Sequence, residues 1–200
     1  FIYISCPMDN LLQISDLEDA ELVRLSLADP NKFSLIINRY QDKLARYVRR
    51  LGAFSAEDTE DILQDIFLKV YLNLNDFKTD LKFSSWIYRI AHNQVISHFR
   101  KHQVRPEAHS SPIDSPGFEL LANDISLDFQ SDVNLRQAAI AAALGKIDAR
   151  YREILILKFF EDKSYQEISD ILKKPAGTVA SLLNRAKKSL KNSLSVKMAE

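Results

Sequence analysis

Four histidines, His92, His98, His102 and His109, fall within eighteen residues of one another. His98 and His102 stand one helical turn apart, a spacing that would suit a divalent metal. No cysteine or clustered carboxylate completes a ligand set, and the single cysteine, Cys6, lies far away in the chain. The expectation is no metal and no cofactor. There is no glycine-rich phosphate cradle, no Walker sequence and no zinc-protease helix, and no nucleophile–base pair can be nominated. The remaining chemistry is that of recognition. Trp86, Arg89, Asn93, Ser97 and Arg100 recur at helical spacing. They combine cations for phosphates, an indole for stacking on bases and an amide for base edges. A second set, Ser181, Asn184, Arg185 and Lys188, repeats that mixture without the aromatic. A third, Asp61, Gln64, Asp65, Leu68 and Leu72, sets two leucines among carboxylates. Apolar contacts ringed by charge suit a docking face for a protein partner.

Each set needs a helix to hold it. The 200 residues are 46% hydrophobic and 27% charged, with only four glycines, which favours long helices over a turn-rich β protein. The second set sits in the stretch from Ser164 to Lys191. Ser164 and Glu167 form a capping box, and Ile168, Ile171 and Leu172 give a short helix its apolar stripe. Pro175 and Gly177 punctuate, and Thr178 is the expected N-cap of a second helix. Val179, Leu182, Leu183, Ala186, Leu190 and Leu194 then face inward, leaving Ala180, Ser181, Asn184, Arg185, Lys187, Lys188 and Lys191 outside. A short capped helix, a turn and a longer helix with a basic outer face make a helix-turn-helix pattern.

Upstream, the periodicity predicts a helix from Asp16 through Leu27 and a second from Pro30 to Gly52. A third runs from about Ala56 to Asn75, with Ile62, Leu63, Ile66, Phe67, Val70, Tyr71 and Leu74 as its core half. A loop at 76–83 precedes a fourth, capped by Ser84 or Ser85 and running to about His102. Its buried stripe is Ile87, Tyr88, Ala91, Val95 and Phe99. Residues 103–132 carry prolines, serines and no periodicity, and read as a flexible linker. Two further helices, Leu135–Leu144 and about Ala149–Phe160, lead into the helix-turn-helix.

Formal net charge is zero, but the charges are segregated. Residues 55–68 hold five acids and no base, 82–105 five bases and no acid, 106–132 six acids and no base, and 173–200 seven bases and one acid. A polyanion-binding protein can hide behind such a total. The acidic linker is also placed to screen a basic face. No apolar run approaches the ~20 residues of a membrane span, and a lone cysteine fits a reducing compartment. Met8 is the expected translation start, and residues 1–7 are assigned no function.

Three motifs, in this order, resemble bacterial sigma factors of the sigma-70 family, extracytoplasmic-function group: DTEDILQDIFLKVYLNLNDF (58–77), FSSWIYRIAHNQVISHFRKH (83–102) and SYQEISDILKKPAGTVASLLNRAKKSL (164–190). The resemblance spans about Leu22 to Leu194. It implies an all-α fold of two small helical domains, sigma region 2 and sigma region 4, joined by the flexible acidic linker. The expected divisions are a tail at 1–15, region 2 at 16–105, the linker at 106–132, region 4 at 133–195 and a tail at 196–200. It implies a cytoplasmic, non-enzymatic initiation factor with core RNA polymerase, through the clamp and flap of its large subunits, and promoter DNA as partners. An anti-sigma factor is a further candidate partner. Asp61, Gln64, Asp65, Leu68 and Leu72 would meet the polymerase. Phe77, Phe83, Trp86, Arg89, Asn93, Ser97 and Arg100 would read and hold the −10 element, with the 76–83 loop gripping a flipped base. Thr178, Ala180, Ser181, Asn184, Arg185 and Lys188 would read the −35 element. The rival reading is a stand-alone helix-turn-helix regulator that does not bind polymerase.

Overall fold

The computed structural model describes residues 17–52, 54–78, 81–103, 140 and 142–197. The N-terminal tail with Cys6, Met8 and the expected cap Asp16, the linker with His109, the start of the predicted helix at 135, and the last three residues lie outside them. In chain order the helices are α1 (Asp19–Ala28), α2 (Phe33–Gly52), α3 (Ala56–Leu72), α4 (Phe83–Gln103), α5 (Ala149–Phe159), α6 (Tyr165–Leu172) and α7 (Ala176–Lys197). A helical stretch at 142–146 precedes α5. No strand occurs among the described residues.

The first four helices form one bundle. Asp29 accepts from the Asn31 amide and starts a 3-10 turn, Pro30–Lys32, so α2 begins at Phe33 rather than at the proline. Ile36, Tyr40, Leu44, Tyr47, Val48 and Leu51 bury the stripe of α2. Asp19 ties α1 to α2, accepting from Tyr40 Oη at 2.6 Å and Arg39 Nη1 at 3.1 Å. Ser55 caps α3 by accepting from the Asp58 amide. α3 stops at Leu72, and the 3-10 turn Leu74–Asp76 follows where sequence periodicity continues the helix. Tyr71, expected inside, is 44% exposed, with its ring edge-on to Phe33. α4 begins at Phe83, ahead of both serines expected to cap it. The amides of Ser85 and Trp86 bond instead to the Lys82 carbonyl, and Ser85 is buried. At the close of α2, Gly52 is there for space: a Cβ would collide with the Phe54 and Phe99 rings.

The last three helices form the second bundle. α5 buries Ile154, Leu155, Ile156 and Leu157 in succession, so this stretch is enclosed on every side, as the part of a helix at the centre of a core must be. The capping box at α6 is present: Ser164 Oγ accepts from the Glu167 amide, and Glu167 Oε2 accepts from the Ser164 amide. The turn differs from expectation. Lys173 takes the left-handed conformation, φ 51°, and its amide bonds back to the Ser169 carbonyl. Gly177 does not have positive φ, and α7 starts at Ala176, which puts Thr178 inside the first turn rather than at the cap.

The two bundles are not held apart. α6 lies along α4, α5 packs on α2, and one continuous apolar core runs through both. Near the seam, Tyr47 is fully buried against Tyr88, and its hydroxyl has no hydrogen-bond partner. Leaving a buried hydroxyl unpaired costs about 1–3 kcal/mol. Tyr47→Phe should therefore raise stability, by about 1 kcal/mol, seen as a higher urea midpoint at unchanged slope.

Candidate nucleic-acid interface

The third residue set lies open. Asp61, Gln64 and Asp65 are exposed on α3, and Leu68 and Leu72 are 56% and 66% exposed, with no helix over them among the described residues. The same helix is anchored at the flank of this face, where Lys69 Nζ donates to Gln94 Oε1 of α4 at 2.5 Å. The face is thus carried on a rigid element.

The set on and before α4 divides. Phe77, Phe83 and Trp86 form a ring cluster, with centroids 5.3–5.6 Å apart. Phe83 is 3% exposed and meets Tyr40 edge-on, so it belongs to the core and cannot present a face to a base. Its edge nevertheless closes a cavity of about 460 Å³, lined also by Phe77, Leu81, Lys82, Ser84 and the start of α1. Trp86 and Asn93 are not among the residues lining that cavity, so the arrangement does not unite them in one mouth with the loop. Asn93 and Arg100 are exposed, and Ser97 Oγ donates to the Asn93 carbonyl, which ties that hydroxyl to its own helix. Arg89 is occupied: its Nε donates to the Asp170 carbonyl of α6 at 2.7 Å.

The set on α7 is displayed as the periodicity predicts. Thr178, Ser181, Asn184, Arg185 and Lys188 are exposed, and Ala180 is half-buried, opposite the buried Val179, Leu183 and Ala186. Ser181 Oγ donates to the Thr178 carbonyl. Lys187 leans over the exposed Phe159 ring.

The groups that sequence reasoning missed are the buried charges of α5 and the loop after it. Arg152 and Glu153 are 8% and 9% exposed. Burial raises the Glu153 carboxyl above its usual range, against the pull of Lys174 at 3.4 Å. Glu161 accepts from Arg50 Nη1 at 2.9 Å and from Tyr88 Oη at 2.6 Å, both in the other bundle. The only sequence signal was charge inside an apolar run, REILIL, which a helical wheel cannot tell from a solvated edge. Among the histidines, His92 is half-buried 3.8 Å from Glu153 Oε2, and His98 stands edge-on against Phe54.

A bundle with exposed helix faces of these kinds, followed by a helix-turn-helix whose second helix is basic, defines a two-domain DNA-binding protein. A family model for Sigma-70 region 2 matches residues 36–105, and one for Sigma-70, region 4 matches residues 137–190. The ECF RNA polymerase sigma factor SigW of Bacillus subtilis is 29% identical over 83% of this chain and 90% of its own. The RNA polymerase sigma-H factor of Pseudomonas aeruginosa is 30% identical over 88% of this chain and 94% of its own. The fold matches that of the sigma factor RpoE from Bartonella quintana, solved with the anti-sigma factor NepR, at a TM-score of 0.64 and 21% identity over 82% of this chain and 97% of that one. The chain belongs to the extracytoplasmic-function group of the sigma-70 family. It is an RNA polymerase-associated initiation factor rather than a stand-alone regulator. Among the described residues no helix is long and apolar enough to cross a membrane.

Burial, with Lys174 adding to it, lowers His92 to about 4. A histidine that resists its proton when folded contributes stability that is complete above the unfolded value of about 6.5 and is lost as pH falls towards 4. An NMR titration of His92 should show a midpoint near 4. Its contribution should appear as an acid-side loss in the wild-type stability profile that His92→Gln lacks.

Proposed function

We propose that this factor docks on core RNA polymerase through the outer face of α3 and reads promoter DNA with α4 and α7. The observation that carries the polymerase assignment is the exposure of Leu68 and Leu72 beside Asp61, Gln64 and Asp65, within the region-2 match. Two large aliphatic side chains in water gain free energy by docking, and the carboxylates around them set orientation and steer a basic partner. On α4, Trp86, Arg89, Asn93 and Arg100 supply stacking, phosphate and base-edge contacts for the opened −10 element. The cavity beside Phe77 and Leu81 is the candidate receptacle for a flipped base, with Phe83 as a buried support for its wall. On α7, Ser181 and Asn184 face bases in the major groove, while Arg185 and Lys188 hold phosphates. The factor acts by binding and positioning, without catalysis of its own, in the cytoplasm. The solved relative's partner is an anti-sigma factor, and a protein of that class is a candidate partner here.

Leu68→Asp should weaken core-polymerase binding by about 1–3 kcal/mol, the scale of an interface anchor, with helicity unchanged. A competition assay against a labelled wild-type factor measures it, and unaltered affinity would remove α3 from the interface. Lys188→Ala should lower affinity for all −35 sequences alike and flatten the salt dependence by about one unit of slope. A changed order of preference among −35 sequences would make Lys188 a base reader instead.

A further inference from the structure

Where the loop after α5 meets the middle of α2, a cavity of about 530 Å³ opens that none of the residues assigned to polymerase or DNA lines. Its volume falls within the roughly 300–1,000 Å³ of small-molecule sites. Tyr40, Lys43 and Arg46 of α2 form one wall, and Tyr88 of α4 and the loop 160–163 form the other. Asp162 turns that loop with φ 47°, and the Lys163 amide bonds to the Leu157 carbonyl at 2.9 Å. The Lys163 ammonium is thereby brought over the Tyr88 ring, 4.3 Å from its centre. The carboxylates of the cavity are largely answered. Asp19 accepts from Tyr40 Oη and Arg39 Nη1, and Glu161 accepts from Tyr88 Oη and Arg50 Nη1. Asp162 is exposed. That leaves three cations, Lys43, Arg46 and Lys163. Arg46 is half-buried, yet its guanidinium makes no hydrogen bond or ion pair among the described residues. Lys43 and Lys163 meet the rings of Tyr40 and Tyr88 rather than oxygens. Burial lowers the Lys163 ammonium below the usual lysine range, and Lys43 adds to that against the pull of Glu167, Glu161 and Asp19. The two ammonium groups thus repel one another across the cavity.

We propose that this cavity is a binding site for a small anion bearing linked phosphates, such as pyrophosphate or the diphosphate end of a nucleotide. Arg46 supplies a planar fork that suits two phosphate oxygens, a geometry a lone ammonium lacks. Lys43 and Lys163 act as point charges on opposite walls, one from α2 and one from the loop. A single monovalent ion would answer one of the three cations. Linked phosphates carry enough charge and enough length to answer all of them. Tyr40 and Tyr88 are closed into the core, whereas Phe160 is half-buried and offers a nucleobase an apolar surface. A DNA strand suits the site less, because its charges are strung along a line that would pass Asp162 and Glu161. Since the cations come from both bundles, the bound anion stabilises the arrangement in which they face one another.

The test is a calorimetric titration of the full chain with sodium pyrophosphate and, separately, with ADP. The buffer is magnesium-free at about 0.15 M salt, where attraction to scattered surface charge is screened. One saturable site is expected. Arg46→Gln and Lys163→Gln should each weaken binding by about tenfold or more, the scale of one charge-assisted contact. Arg46→Lys should recover part of the loss. Lys146→Gln, which removes an exposed charge outside the cavity, should bind as the wild type does. An NMR titration of the Lys163 ammonium should show its midpoint rise when pyrophosphate is added, because an adjoining anion favours the charged form. Tighter binding of ADP than of pyrophosphate would identify a nucleotide, and the reverse an inorganic polyphosphate; both support the site. A wild type that binds neither anion overturns the proposal, and so does binding that Arg46→Gln and Lys163→Gln leave unchanged. Displacement of pyrophosphate by an equal concentration of sulfate marks an adventitious ion only, and displacement by a DNA single strand without terminal phosphates marks a backbone track; either overturns it. Circular dichroism checks the fold of each variant. Should one fail to fold, the Lys163 midpoint in the wild type decides, and a midpoint unmoved by pyrophosphate overturns the proposal.

Discussion

The structure depends on how one buried guanidinium is satisfied. Arg152 lies in the first turn of α5, and burial lowers its proton affinity, yet its guanidinium donates to backbone carbonyls in both bundles. Its Nε donates to the Leu144 carbonyl at 3.0 Å, and Nη2 donates to the carbonyls of Gly145 and Ile147. Nη1 reaches the Leu51 carbonyl of α2 at 3.5 Å. These carbonyls belong to the ends of two helices, where the last turn leaves acceptors without intrahelical partners and the helix dipole is negative. One rigid fork therefore caps a helix end in each bundle. A lysine could not do this, because a single ammonium cannot address carbonyls spread around a plane. Removing the fork would leave buried acceptors unpaired, each at a cost of about 1–3 kcal/mol.

Around that anchor, the rest of the seam is polar over an apolar floor. α5 contributes the floor with four successive buried aliphatics, and the rim is the set of charged contacts made by Arg50, Lys82, Tyr88 and Arg89. Such a balance favours a separable interface over a permanent one. Buried ion pairs return little net free energy once desolvation is counted, and what they supply is register. The exposed pair Lys82–Glu167 adds little to stability and marks where α6 sits on α4.

Charge is segregated over the surface of this neutral chain. Arg185 and Lys188 of α7 face outward, Arg89 of α4 bonds to the Asp170 carbonyl while Arg100 is exposed, and the acids of α3 project outward with two leucines among them. Three faces with three electrostatic characters are carried on helices packed to a common core, so each is rigid where it must recognise something and differs in what it attracts.

How much of this was legible beforehand follows from the range of the forces involved. Helices α2, α4, α5, α6 and α7, the inward stripe of each and the capping box at Ser164 and Glu167 are set by neighbours three or four residues apart, so one sequence carries them. The outward sets on α3 and α7 were legible for the same reason, as the complement of the stripes. Local signals failed where a distant neighbour decided. Phe83 looked like a free wall and became core because Tyr40 closes on it. Gly52 looked like a conformational stop and instead makes room for two phenyl rings. Gly177 looked like the turn, but Lys173 supplies the positive φ. How the two bundles sit against one another was likewise beyond local signals. The partners of Arg152, Glu153 and Glu161 lie on segments remote in sequence, and no period in the chain encodes which helix end a guanidinium will meet. The sequence by itself determined the helices, their stripes and the family. Only the tertiary structure decided that the side of the second bundle bearing Glu161 and Asp170 lies over Arg50 and Arg89, because that choice rests on contacts between residues some eighty to one hundred and ten positions apart.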